Sequence, residues 1–388
     1  MISPGLSEHV DAKQRRAAGS AKWVKFPETI LPAWVAEHDF RPPDSVVQAF
    51  VEVAEQAAFG YHFRARDLGA AYAPWAKDRH DWDVDPELVN HNVDVLQGVT
   101  AAIMALSQPG DGLILQAPVY FPFWDLPSST GRTQLEWVMR RDENGWFFDV
   151  NDLEALLRSE PTAKVLLLCS PHNPTGRVLG SDTLAAIIDL AHQHDIFIVA
   201  DEIHGDLVYP GAEFRPLLSI PGAAERVVTA TSAAKTFSLS GIRAAISVFG
   251  DEDLMTRVRQ AHPWLLLGHP SRGGIEATIA AWATGGPWVD QLVTLLEGNR
   301  DHLVARIRAE APAVRIDPPE STFLAWMDVS DCGLGANPAA TLEEKAAVAV
   351  SEGHEFGAGG EGHIRINFGT SRVILDELLD RMLPHLGG

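Results

Sequence analysis

KVLLLCSPHNPTG, residues 164–176, sets an uninterrupted apolar run against a turn that holds two prolines and a glycine. The run has the length of one buried strand, and the turn fixes a single amide side chain, Asn173, just past the strand's carboxyl end. Comparable apolar runs recur at residues 93–96, 112–116, 196–200, 226–230 and 244–249, separated by amphipathic stretches. One such stretch, residues 181–194, has apolar residues at helical spacing behind Ser181 as a cap. Short apolar runs alternating with helices predict an α/β fold, a mostly parallel sheet covered on its faces.

After about residue 285 the texture changes. A long helical segment at 288–310 is followed by an apolar run at 322–327, a second helix near 342–351 and another run at 363–368. This layout predicts a smaller α+β C-terminal domain. The expected division is an N-terminal segment, residues 1–40, packing with the small domain, a large domain over 41–285 and the small domain over 286–388.

The chain has 388 residues, 46% of them hydrophobic, and a formal net charge of -21. That length supports a sizeable core, and the charge argues against nucleic acid or an anionic membrane as partner. The N-terminus lacks the apolar region of a signal peptide, and no run of about 18 apolar residues occurs, so a cytoplasmic protein is expected. Cys169 and Cys332 form no C-x-x-C, and the histidines are scattered, so neither a disulfide scaffold nor a metal site is expected.

Ligands of open α/β sheets bind beyond the carboxyl ends of the strands. The run ending at residue 200 leads into Asp201-Glu202-Ile203-His204, and that ending at 230 leads into Ser232 and Lys235, with Arg243 opening the next run. Lys235 lies among Ala, Ser, Thr and Gly, unusual company for a surface lysine. Upstream, Gln97-Gly98-Val99-Thr100 reads as a glycine turn into a helix whose free N–H groups can bind phosphate. Ser232 and Arg243 could add a hydroxyl and a guanidinium to the same anion.

These strand ends offer an amine for a Schiff base, a carboxylate, an amide, an aromatic ring at Tyr120 and an anion cradle. Pyridoxal 5'-phosphate requires that inventory: its aldehyde condenses with a lysine, and its ring draws in electrons only while the pyridine nitrogen stays protonated by an acid partner.

Several stretches carry a resemblance. Ser170-Pro-His-Asn-Pro-Thr-Gly, Asp201-Glu-Ile-His, Ser232-Ala-Ala-Lys-Thr-Phe-Ser-Leu-Ser-Gly and His363-Ile-Arg-Ile-Asn resemble the fold-type I pyridoxal-phosphate enzymes of the class I/II aminotransferase superfamily. Lys22-Trp-Val-Lys, Leu31-Pro-Ala-Trp-Val-Ala-Glu-His-Asp-Phe, Phe59-Gly-Tyr and Pro118-Val-Tyr-Phe-Pro-Phe are similar to the cystathionine β-lyase branch related to the maltose-regulon modulator. The resemblance implies a seven-stranded large-domain sheet and a homodimer with shared active sites. It implies Lys235 as the Schiff-base lysine, Asp201 as partner of the pyridine nitrogen, Asn173 as partner of the 3-oxygen and Tyr120 as the stacking ring. Val99, Thr100, Ser232 and Arg243 match phosphate-binding positions, and Tyr61 matches the tyrosine that reaches the phosphate from the second subunit. Arg365 matches the clamp for the substrate's α-carboxylate, His204 stands close to the cofactor, and Trp34 lies among the loops that set specificity.

The chain departs from the pattern at Ala234, where serine is usual, at Ser238 in place of asparagine, and at Glu37-His38 in place of Asp-Met. Arg243 is more typical of aminotransferases. The expected activity is β-elimination from cystathionine or another S-substituted cysteine, giving thiol, pyruvate and ammonia. Transamination, a biosynthetic reaction on an S-cysteinyl conjugate by β-elimination or decarboxylating deamination, and a non-catalytic regulatory role are the alternatives.

Overall fold

The computed structural model describes residue 6 and residues 8–61, 63–143, 145–262 and 268–387. Strands β1 (Val89–Asn92), β2 (Gly112–Ala117), β3 (Thr133–Val138), β4 (Ala163–Cys169), β5 (Phe197–Asp201), β6 (Val227–Thr231) and β7 (Ala245–Phe249) form one sheet. Their order is β1-β7-β6-β5-β4-β2-β3. β7 is antiparallel to both β1 and β6, and the other pairs are parallel.

The quoted stretch explains itself in this setting. Val165 and Leu167 belong to the core on one face of the sheet, with Leu113, Leu115 and Val199. Leu166 and Leu168 belong to the core on the other, with Ile114 and Ile198. Alternate side chains of a strand point to opposite faces, so a strand covered on both sides must be apolar throughout.

The expected strand over residues 93–96 is not formed. The first strand is β1, four residues upstream, and helix α1 (Val95–Leu106) already begins at Val95. Asp94 decides this: its carboxylate accepts the Gln97 N–H at 2.8 Å and caps the helix ahead of Gly98. Ser181 is likewise the first residue of helix α2 (Ser181–Gln193) rather than its cap, since the preceding Gly180 takes that place.

The long helix is present as α3 (Gly286–Glu310). Strands β8 (Arg315–Ile316), β9 (Leu324–Asp328), β10 (Ser351–Glu352) and β11 (His363–Asn367) form an antiparallel sheet in the order β8-β9-β11-β10. The helix expected near 342–351 lies earlier, as α4 (Pro338–Ala346), and ends where Ala347 turns left-handed at φ 53°. Residues 348–349 then pair in parallel with Leu31–Pro32 as a separate two-stranded ladder, and the Asn367 N–H at the end of β11 donates to the Ala33 carbonyl at 2.9 Å. Among the described residues, no helix is long and apolar enough to cross a membrane.

Candidate active site

In the register of the large sheet Cys169 faces Asp201, and Asp201 faces Ala230, so β4, β5 and β6 end side by side. Beyond these ends lies a cavity of about 250 Å³, and Tyr120, Asn173, Asp201, His204, Ser232, Lys235 and Arg243 all line it.

Asp201 is buried at its floor. Its carboxylate accepts the Ile203 N–H at 3.1 Å and has no salt-bridge partner among the described residues. Burial raises its pKa to about 6, against the opposing pull of that hydrogen bond and of Lys235. The Lys235 amine donates to the Ala36 carbonyl at 2.8 Å. Burial, helped by the positive charge of Arg365, lowers its pKa to about 8, so a substantial neutral fraction exists near physiological pH.

Arg365 is almost fully buried and uses both arms of its fork. One arm donates to Asn173 Oδ1 at 2.8 Å, and the other to the Trp34 carbonyl at 2.9 Å and Ser351 Oγ at 3.1 Å. Its guanidinium lies over the Phe356 ring at 4.8 Å, a cation–π contact. With Oδ1 of Asn173 engaged, its amide N–H groups are what that side chain can offer the cavity. His204 is buried with Nδ1 unpartnered, and burial together with the charges of Lys235 and Arg365 lowers its pKa to about 3, so its imidazole is neutral.

Of the residues expected to hold the phosphate, Ser232 and Arg243 line the cavity and Val99 and Thr100 do not. Val99 and Thr100 lie in the second turn of α1, outside the cavity lining, and the Thr100 hydroxyl donates to the Leu96 carbonyl at 2.6 Å. The helix end that borders the cavity is formed by Asp94, Val95 and Leu96. Ser232 Oγ donates to the Ala244 carbonyl at 2.7 Å, and Arg243 forms an ion pair with Asp94. Tyr61 is fully exposed, between exposed Phe59 and Phe63.

Sequence reasoning missed the backbone of residues 34–39. Each of its six carbonyls accepts a side-chain hydrogen bond: Trp34 from Arg365 and Ser351, Val35 from Asn367, Ala36 from Lys235, Glu37 from Asn367 and Lys22, His38 from Ser238, and Asp39 from Arg15. The segment therefore threads between the lysine turn of the large sheet and β11. Carbonyl groups carry no sequence signature, which is why this strap was invisible. Its side chains carry a partial signal, because the buried Lys22–Asp39 ion pair, at 2.8 Å, uses the Lys22-Trp-Val-Lys motif.

Two of the departures find a physical account here. Ser238 has φ 55°, a left-handed backbone that asparagine adopts more readily, and its hydroxyl offsets this by bonding the His38 carbonyl at 2.9 Å. His38 donates from Nε2 to the Thr236 carbonyl at 3.1 Å while Nδ1 accepts the Phe40 N–H at 3.3 Å. Burial lowers its pKa to about 4, consistent with this neutral tautomer.

Glu202, next to Asp201, was also missed. It accepts the Leu217 N–H at 2.6 Å, and burial raises its pKa to about 8, with Asp201 adding to the rise. A carboxyl raised in this way binds a proton in the native state that the unfolded chain has released, so its stabilisation is lost as pH rises from about 4.5 towards 8. Glu202→Gln should therefore raise the melting temperature, with an advantage that grows between pH 5 and 8 and reaches on the order of 1 kcal/mol or more at pH 8. Calorimetric melts at several pH values check this, and a pH-independent difference would contradict it.

Taken together, one cavity presents an unpaired buried carboxylate, a free imidazole nitrogen, amide N–H groups and a partly neutral amine. These are the groups that a planar pyridine with a protonated nitrogen, a ring oxygen and an aldehyde would satisfy.

The pattern of the family described as aminotransferase class I and II matches residues 35–382. The chain is 32% identical to the cystathionine β-lyase PatB of Bacillus subtilis, over 95% of this chain and 97% of the relative. It is 31% identical to a cystathionine β-lyase of Corynebacterium glutamicum, over 98% and 99% of the two chains. Cystalysin of Treponema denticola, a structure containing pyridoxal 5'-phosphate, superposes with a TM-score of 0.90 at 28% identity, over 100% of this chain and 99% of that one.

Proposed function

The chain belongs to the aminotransferase class I and II family, and from that premise we propose that it is a pyridoxal-phosphate-dependent carbon–sulfur β-lyase acting on cystathionine or a related S-substituted L-cysteine. The observation that carries this reading is the joint presence of Lys235, Asp201 and Asn173 around one cavity, with Arg365 bonded to Asn173 at its border. The names of the relatives point the same way.

When bound, the cofactor supplies an aldehyde that condenses with amines and a ring that accepts electron density from Cα. Asp201, lacking another cationic partner, would hold the proton on the ring nitrogen. Asn173 and the neutral His204 would face the 3-oxygen, and Tyr120 the ring face. Arg243, Ser232 and the start of α1 would hold the phosphate, for which Arg243 must exchange its present partner Asp94. Arg365 would grip the substrate α-carboxylate as a fork.

Lys235 Nζ would then take the α-proton, a role suited to an amine with a pKa of about 8. Departure of the thiolate from Cβ, followed by hydrolysis, yields thiol, pyruvate and ammonia, one of each per substrate and water. A homodimer would complete the site, since the exposed Phe59, Tyr61 and Phe63 offer an apolar surface to a second copy. The two buried, unpaired thiols of Cys169 and Cys332 fit a reducing compartment such as the cytoplasm.

The test is direct. Purified holoenzyme given L-cystathionine without any keto acid should release thiol and pyruvate in equal amounts. Strict dependence on 2-oxoglutarate would overturn the lyase in favour of an aminotransferase.

A further inference from the structure

A second cavity, about 420 Å³ in volume, lies between residues 25–34 and α4. The buried Arg365 stands between the two cavities. One arm of its fork reaches Asn173, which lines the first, and the other reaches Trp34 and Ser351, which line the second. The consecutive residues Tyr120 and Phe121 are divided in the same way. The second space thus lies one side chain away from where an α-carboxylate would dock on Arg365.

Its walls are of two kinds. Phe26, Trp34 and Phe121 form an aromatic side, and Glu343, Glu352 and Glu355 an acidic one, against Lys25 and His354. Glu352 is engaged, capping the Ala339 N–H at 2.9 Å. Glu343 and Glu355 have no hydrogen bond or ion pair among the described residues, and Glu355 adds its negative charge to the surroundings of the buried Arg365. The Trp34 face already carries an ammonium: Lys25 Nζ sits 4.0 Å from its ring centroid and 5.3 Å from that of Phe26. Lys25 is exposed on a flexible stem, so a ligand cation can take its place.

We propose that this cavity is the subsite for the S-substituent and that it selects groups ending in an organic cation. Aromatic faces and carboxylates are the two features that recognise ammonium groups. The proposal rests on the lyase reading for the placement of the amino-acid end, and its test is separable from that reading.

L-Lysine and L-norleucine share a carbon chain, differ in the terminal ammonium and carry no leaving group at Cβ, so their binding reads the subsite without bond cleavage. Calorimetry with holoenzyme should show lysine binding about tenfold more tightly than norleucine, the effect of a cation–aromatic contact reinforced by a carboxylate. The Glu343→Gln/Glu355→Gln double variant should bring the ratio to within about twofold. A lysine preference that is absent in the wild type, or that survives in the variant, overturns the proposal, as does failure of both ligands to bind. A preserved lysine preference with no thiol release from S-(2-aminoethyl)-L-cysteine would sink the lyase reading and leave the cationic subsite standing.

Discussion

Lys235→Ala should lower turnover of S-substituted cysteines by roughly 10³-fold or more, the scale set by removing a positioned proton-transfer group that is also the covalent anchor. Hydride reduction of the wild-type holoenzyme followed by peptide mass analysis should find the cofactor on Lys235, and the variant should show no labelled lysine. In the cofactor-free variant the Ala36 carbonyl loses its donor, a defect of about 1–3 kcal/mol for a buried acceptor, so circular dichroism must accompany the assay. A small primary amine added to the folded variant should restore part of the activity, because the cavity left by the side chain admits it. Normal turnover by a folded Lys235→Ala protein would refute the assignment of the catalytic base.

The second large effect is expected at Arg365. Lysine at this position keeps the charge but replaces a planar fork of donors by a single point, and it cannot serve Asn173, Trp34 and Ser351 while gripping a carboxylate. Loss of a buried bidentate charge contact costs about 2–5 kcal/mol, so kcat/KM of Arg365→Lys should fall by about 30-fold to several thousand-fold. Most of the loss should appear in KM, since the α-carboxylate is bound in ground and transition states alike. A variant with unchanged KM and depressed kcat would place Arg365 outside the carboxylate clamp.

The centre of the site was legible because burial on both faces forces β4, β5 and β6 to be apolar, and the first polar residue after each run then stands out. Asp201 and Lys235 were visible for that reason, and Asn173 because prolines and a glycine frame it. The sheet's edges were not. β1 reads Val-Asn-His-Asn, and β3, Thr-Gln-Leu-Glu-Trp-Val, is largely exposed at the edge. Neither supplies the apolar run by which an inner strand is recognised.

The misplacement of 93–96 has a related cause. Its apolar residues suit either a strand or a helix, and the choice is made by the Asp94 carboxylate turning back to Gln97. That single cap starts the helix at Val95, so the residues of its first turn, and not Val99 and Thr100, line the cavity. The partners of residues 34–39 were beyond reach for another reason: Arg365, Asn367 and Lys235 meet them across about 200 to 330 positions of chain.

That strap makes the two ends of the substrate site thermodynamically reciprocal. Residues 34 and 36 are held by the clamp and by the lysine, through one short peptide whose every carbonyl is engaged. A carboxylate that draws Arg365 from Trp34 frees one point of this peptide, and an amine that leaves Ala36 frees another two residues on. Any coupling between the two events is equal in both directions by linkage. A substrate analogue lacking the α-carboxylate should therefore be weakly held, because nothing draws Arg365 from Trp34.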